Sequence, residues 1–205
     1  MIMAQRFMKF ITKQCSLFMR CQSGVASVEF ALSLTVLMIL MLGSIDVSRC
    51  FLIIQKVERI ASTVADIPTQ SNPNSSPLTT SQMSQLMSAV TDMMSPYSQG
   101  VNDPNIYVIV SDVTKSGSNS PVLNWQYCGG GTLSATSNVG STIGGTATIP
   151  NSFALNSGEE IVIGEVFYNF TPIIANNTII SSFQVYRTSI FVPRLGAITG
   201  FSSHC

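Results

Sequence analysis

Apolar positions change their spacing along the chain, and the first pattern predicts one long helix. No charged residue occurs between Phe30 and Ile45. Since a membrane-spanning helix needs about 20 residues, the span is extended back to Val25 and includes Glu29. Apolar residues then continue at helical spacing until Pro68, which removes a backbone donor, so the helix is predicted to end near Ile67. This continuing stripe consists of Phe51, Ile54, Val57, Ile60, Ala61 and Val64.

The predicted helix is longer than a membrane is thick. At 1.5 Å per residue, residues 25–67 extend roughly 65 Å, about twice the hydrocarbon thickness. Half of the helix is therefore expected to stand outside the membrane, with its apolar stripe packed against other parts of the protein.

A second helix and four strands are predicted after this first helix, whose part outside the membrane is called the stalk. Thr79 and Gln82 have the spacing of a capping box, and the apolar face that follows consists of Met83, Leu86, Met87, Val90 and Met94. Runs of β-branched and aromatic residues predict strands at Ile106–Val110, Val122–Tyr127, Glu160–Phe170 and Ser181–Pro193. In the last strand Phe183, Val185, Ile190 and Val192 are the expected core residues, and Gly129–Pro150 is expected to be a long loop.

The predicted fold class is therefore α+β. A long amino-terminal membrane-spanning helix continues into a small exported domain with an antiparallel sheet and a second helix, and the two helices cover one face of the sheet. The domain boundaries are a basic leader at 1–24, a transmembrane and stalk helix at 25–67, a linker at 68–80 and the exported domain at 81–205.

Charge is scarce and unevenly distributed. Charged residues make up 10% of the chain, against about 25% in a typical domain. The leader contains only basic charges, at Arg6, Lys9, Lys13 and Arg20. Such a flank predicts a cytoplasmic amino terminus and an exported remainder of a single-pass protein. The sequence lacks a basic patch with interleaved aromatic residues, so nucleic acid is not expected as a partner.

The five cysteines fall on different sides of the predicted membrane. Cys15 and Cys21 are expected to stay reduced in the cytoplasm, whereas an oxidising compartment would permit a bridge between Cys128 and Cys205. The chain-entropy model assigns roughly 4 kcal/mol to a bridge that closes a loop of this order. Cys50, near the membrane, remains a rival partner.

The chemistry of an enzyme is not recognisable in the sequence. The cysteines lack the spacing of a metal site, and His204, the only histidine, is the penultimate residue. Glu159, Glu160 and Glu165 lie close together in the chain, but nothing supports a catalytic pair among them. We therefore expect neither catalysis nor a cofactor or metal.

Two segments resemble a known family, the TadE-like pseudopilins of the tight-adherence type IV pilus system. The first runs from Gly24-Val25-Ala26-Ser27-Val28-Glu29-Phe30-Ala31-Leu32 through the apolar run to Gly43-Ser44-Ile45-Asp46-Val47-Ser48-Arg49-Cys50-Phe51. The second is Val166-Phe167-Tyr168-Asn169-Phe170-Thr171-Pro172, which is similar to the family's carboxy-terminal strand.

The resemblance implies processing by a prepilin peptidase between Gly24 and Val25, with Glu29 as the fifth residue of the mature chain. It also implies a minor or assembly role in the cytoplasmic membrane of a bacterium, beside other pilins, pseudopilins and the pilus assembly platform. The alternative is an exported adhesion or ligand-binding module held by an uncleaved signal anchor.

Glu29 has a physical reason to act in assembly. A carboxylate in a membrane helix costs roughly 2.5–3.5 kcal/mol, so it calls for a partner. The freed amino group of Val25 on a neighbouring subunit would neutralise it. In the other interpretation, Glu29 lies at the level of the lipid headgroups beside its own amino terminus.

Overall fold

A computed structural model describes residues 22–100, 102–117, 120–150, 153–174, 181–198, 201 and 205. Most of the predicted leader therefore lies outside the described residues. The elements are α1 (Gln22–Thr69), α2 (Thr80–Met94), β1 (Ile106–Thr114), β2 (Val122–Gly129), β3 (Glu160–Phe170) and β4 (Phe183–Phe191). The chain divides into an amino-terminal unit up to Asp46 and a carboxy-terminal unit from Val47 onward. The predicted α+β fold is confirmed.

The amino-terminal part of α1 is apolar and exposed. The helix is long and apolar enough to cross a membrane, and its most apolar stretch is not buried anywhere. Its hydroxyl groups donate back to its own carbonyl groups: Ser33 Oγ to Glu29 O at 2.8 Å and Thr35 Oγ1 to Ala31 O at 2.9 Å. Since hydrocarbon offers no water to pair with a hydroxyl group, these bonds suit a lipid environment.

The later part of α1 is buried on one face. The fully buried side chains of this face are Ile53, Val57, Ile60, Ala61, Val64 and Ala65. The predicted stripe was wrong at Phe51, which is 60% exposed. At 100° per residue, Phe51 lies about 120° around the helix from Val57, whereas Ile53 lies only about 40° away. The helix ends at Thr69, two residues beyond the predicted end.

The predicted start of α2 is confirmed by its capping box. Thr79 Oγ1 accepts a hydrogen bond from Gln82 N at 3.3 Å, and Thr79 N donates to Gln82 Oε1 at 2.9 Å. The whole predicted apolar face is buried: Met83, Leu86, Met87, Val90 and Met94. These methionines are core residues.

The four strands form one antiparallel sheet in the order β2-β1-β3-β4. The two central strands are buried along almost their whole length on both faces, which explains why most of their residues are apolar. The β1–β2 hairpin forms as predicted, and both strands extend further than predicted.

The edge strand β4 departs from the prediction. Val185 is buried, but Phe183 is 43% exposed and Val192, which lies beyond the strand, is 52% exposed. An edge strand has a neighbour on one side only, so alternation in the sequence does not guarantee burial.

Different parts of the chain pack against the two faces of the sheet. Both helices pack on one face, where Val57, Met83, Val110, Trp125 and Val166 belong to one apolar cluster. The segment between β2 and β3 covers the other face, through buried side chains at Val139, Ala147 and Leu155. The predicted long loop is irregular, and it packs as part of the core.

Two glycines permit close approaches in this packing. A Cβ atom on Gly164 would lie 2.6 Å from the carbonyl oxygen of Ala61, where α1 crosses β3. A Cβ atom on Gly131 would lie 2.2 Å from the carbonyl oxygen of Ile106. The glycine run after β2 therefore has a packing role.

We predict that Gly164→Ala destabilises the carboxy-terminal unit by about 1–3 kcal/mol, because an added methyl group would force α1 away from the sheet. Chemical denaturation of the full chain in detergent measures this change. Ser189→Ala is the matched control, since Ser189 pairs with Gly164 on β4 and loses only a hydroxyl group. Equal midpoints for the two variants would contradict the close contact.

Candidate functional site

The predicted processing and assembly residues lie in the first turns of α1. Gly24, Val25 and Glu29 are all exposed, Val25 by 62% of its surface. Among the described residues, no atom other than those of its chain neighbours and the local helix backbone lies within 4 Å of a Cβ placed on Gly24. Glu29 is five residues from Gly24, or about 7.5 Å along the helix axis. The roles of these three residues stay predictions.

The Cys128 and Cys205 sulfur atoms form a disulfide bond. Of the described cysteines, Cys50 alone is free, and it is half-buried. The ring of Phe201, four residues before the end of the chain, packs edge-on against Trp125 with centroids 4.7 Å apart. The disulfide and this ring contact hold the last part of the chain to β2.

Asp112 is a buried carboxylate that the sequence analysis missed. The side chain is fully buried, and its Oδ2 accepts a hydrogen bond from Asn124 Nδ2 at 2.7 Å. Among the described residues no N–H or hydroxyl group donates a hydrogen bond to its Oδ1. Burial raises the pKa of Asp112 to about 8; the Asn124 hydrogen bond opposes the rise, and the charge and hydrogen bond of Glu160 add to it. Burial therefore favours the protonated form of Asp112.

Glu160 connects this carboxyl group to the last part of the chain. Asp112 pairs with Val162 across the β1–β3 ladder, so Glu160, two residues away, lies on the same face of the sheet. Glu160 Oε1 accepts a hydrogen bond from Ile198 N at 2.8 Å. A cleft of about 360 Å³ lies beside it, lined by Thr114, Asn124, Trp125, Glu160, Ala197, Ile198 and Phe201.

Glu165 points to the opposite face of the sheet. Its Oε1 accepts hydrogen bonds from Asn138 N and from the Tyr186 hydroxyl group, each at 2.9 Å, and its Oε2 accepts one from Ser137 Oγ. Burial raises the pKa of Tyr186, so its hydroxyl group remains a donor. Glu165 therefore ties the irregular segment to the sheet, away from Glu160.

The sequence offered one signal for the buried carboxyl groups of Asp112 and Glu165, which is an acidic residue within a mainly apolar strand. Asp112 and Glu165 each interrupt a strand of apolar residues. Their partners could not be inferred from the sequence, because these depend on strand register and on a loop. Glu159 is partly exposed and accepts a hydrogen bond from Asn156 Nδ2, and His204 lies outside the described residues. No group of three or more metal-ligating side chains occurs in the part of the chain that is described.

The comparisons with known proteins identify the amino-terminal segment. Residues 24–66 match the family model described as TadE-like protein. This range contains Gly24, Val25 and Glu29, the apolar part of α1 and most of its buried face. Neither the comparison with curated proteins nor that with solved structures produced a match.

We predict that the carboxyl group of Asp112 makes the chain less stable as pH rises. Its folded pKa, about 8, lies above its ordinary value of 3.8, so the folded state holds the proton that the unfolded state releases between these values. The stabilisation is complete below about pH 4 and declines by up to about 1.4 kcal/mol per pH unit towards pH 8. Denaturation midpoints of the full chain across this range measure the decline.

The matched variant is Asp112→Asn, because an amide accepts from Asn124 and does not ionise. The difference in stability between parent and variant should change steadily from about pH 5 to about pH 8. Glu58→Gln, at an exposed position on α1, controls for general charge effects. A difference that does not depend on pH would show that Asp112 is already ionised in the folded protein.

Proposed function

We propose that this chain, which is TadE-like over residues 24–66, is a membrane-anchored minor pseudopilin or assembly protein of the tight-adherence pilus. The family match supports a role connected with this pilus system. One structural observation supports the anchored form: a long apolar helix is exposed in its first half and buried in its second.

The exposed half differs from the core helix of a soluble protein. Its large apolar side chains between Val25 and Ile45 are 42–68% exposed, whereas Val57 and Val64 of the same helix are fully buried. A continuous apolar surface of this length is unfavourable in water and favourable in lipid. Together with the basic residues before Gly24, it supports a single pass through the cytoplasmic membrane with the amino terminus inside.

The proposed role of the carboxy-terminal unit is structural, not catalytic. The three glutamates considered above as a possible catalytic group all accept hydrogen bonds from backbone N–H groups. Glu159 and Glu165 accept them from the β2–β3 connection, and Glu160 accepts one near the end of the chain. The disulfide between Cys128 and Cys205 supports an oxidising location outside the cytoplasm.

The proposed partners follow from the role in assembly. A prepilin peptidase would cut between Gly24 and Val25. The freed Val25 amino group would then approach Glu29 of a neighbouring pilin or pseudopilin in lipid, where each charge lowers the cost of burying the other. The assembly platform is the third partner.

We predict that the membrane form begins at Val25. Intact-mass measurement of the protein recovered from membranes, with and without the peptidase, tests this. Gly24→Leu should keep the leader attached, while Gly43→Leu, at another glycine of α1 where an added Cβ has open space, should be processed normally. A mature chain that starts at Met1 would favour the uncleaved signal anchor instead.

We predict that Glu29→Ala leaves membrane insertion intact and abolishes assembly. Loss of the carboxylate removes an insertion cost of roughly 2.5–3.5 kcal/mol and also removes the partner of the neighbouring amino group. Membrane fractionation and recovery of surface pili are the two measurements. Glu58→Ala, an exposed glutamate in the later part of α1, is the control. Normal piliation with Glu29→Ala would contradict the pairing.

A further inference from the structure

We propose that one end of the carboxy-terminal unit rests on the lipid surface. This end, here called the aromatic end, is defined by Tyr97, Tyr168, Phe170, Ile173 and Phe183. The inference rests on the proposed function only in needing a membrane anchor. It adds a second, peripheral contact with lipid, made by the sheet.

Contacts along α1 and β3 show where the aromatic end lies within this unit. The carbonyl of Ala61 lies against Gly164 in the middle of β3. Nearer the start of the unit, the Arg49 guanidinium lies over the ring of Tyr97, 5.9 Å from its centroid. The Tyr168 hydroxyl group donates to the carbonyl oxygen of Tyr97 at 3.2 Å. The later residues of β3 therefore lie beside the earlier residues of α1.

The lengths of the two elements are matched. From Ala61 back to Val47, the first residue of this unit, α1 covers about 21 Å. From Gly164 forward to Phe170, β3 covers about 20 Å. Phe170 therefore reaches about the level of Val47, and the residues that follow it extend further. Val47 follows the apolar segment directly in the chain, so the carboxy-terminal unit is joined to that segment at this level.

Apart from Arg49 beside Tyr97, the described surface residues named for this end are apolar or uncharged. Ile173 is 67% exposed, Ile174 is 38% exposed and Phe183 is 43% exposed. The rings of Phe183 and Phe170 lie 5.4 Å apart. A cleft of about 250 Å³ beside them is lined by neutral residues only: Asn105, Asn169, Thr171, Ser182, Phe183 and Gln184. The sequence from 166 to 186 contains no charged residue.

These properties fit lipid better than another protein chain. Aromatic residues and arginine are typical of the boundary between headgroups and hydrocarbon, because each combines an apolar body with a polar end. Neutral amides and hydroxyl groups can enter the headgroup region without the cost of burying a charge. Val47 and Phe51, each 60% exposed, continue the apolar surface on α1 towards the residues that enter the membrane.

Quenching by brominated lipid tests the contact directly. The chain has one tryptophan, Trp125, which is 2% exposed and provides a constant background. A second tryptophan is introduced as Phe183→Trp or as Ile173→Trp in the full chain. The protein is reconstituted in vesicles of phosphatidylcholine with or without bromine on the acyl chains, and vesicle flotation verifies anchoring.

The matched control is Ile143→Trp. Ile143 is 47% exposed, and it lies at the opposite end of the sheet, because Gly144 N donates to the carbonyl oxygen of Leu123 near the start of β2. Brominated lipid should reduce the added emission of Phe183→Trp and Ile173→Trp roughly twofold, since interfacial groups enter about 5–10 Å into the headgroup and acyl boundary. Ile143→Trp should keep its emission.

The outcomes separate the two proposals. If the chain floats with the vesicles and all three variants keep their emission, the aromatic end does not touch lipid and the inference is wrong, while the anchor stands. Protection of Phe183→Trp from an aqueous quencher without quenching by brominated lipid would indicate a protein contact, such as a second copy, and would equally overturn it. Failure of the parent chain to float would overturn the anchor itself.

Discussion

The structure depends on one constraint, which is that a single helix must satisfy two different surroundings. The first half of α1 exposes apolar side chains all round, as lipid requires, and the second half buries one stripe against a sheet. The change occurs without a break in the helix. Gly164 is essential at the second surface, because the carbonyl of Ala61 lies where its side chain would be. The sheet is therefore shaped around the helix.

The chain has few charged residues, and two of its acidic side chains are buried in the sheet. Asp112 and Glu165 are both fully buried, where charged groups are costly unless they are neutral or paired. For Asp112 burial raises the pKa, which favours its neutral form, and Glu165 accepts hydrogen bonds from three donors. Each connects a central strand to a segment without regular structure: Glu165 to the β2–β3 connection, and Asp112, through Glu160, to the end of the chain. Acidic side chains of the central strands thus hold irregular segments against the edges of this small core.

Features that depend on residues close together in the sequence could be predicted, whereas several features that depend on contacts between distant residues could not. The capping box of Thr79 and Gln82 is a local signal, and so is the Gly24–Glu29 segment; both could be recognised without the fold. Phe183 and Phe51 were misjudged because their burial depends on which neighbour the fold supplies, and periodicity does not contain that information. The Asp112–Glu160 pair needs the register of β1 against β3, and the packed β2–β3 connection needs the sheet face that it covers.

The extent of the family match bears on what the TadE-like segment does. The match continues past the apolar run to residue 66, and so includes the buried face from Ile53 to Ala65. A membrane signal alone would need only the first half of this range. The matched segment contains both the apolar stretch and the surface on which α2 and the sheet pack, so a change on its buried face would alter the packing of the carboxy-terminal unit. The TadE-like segment therefore combines an apolar stretch long enough to cross a membrane with the buried face on which α2 and the sheet pack.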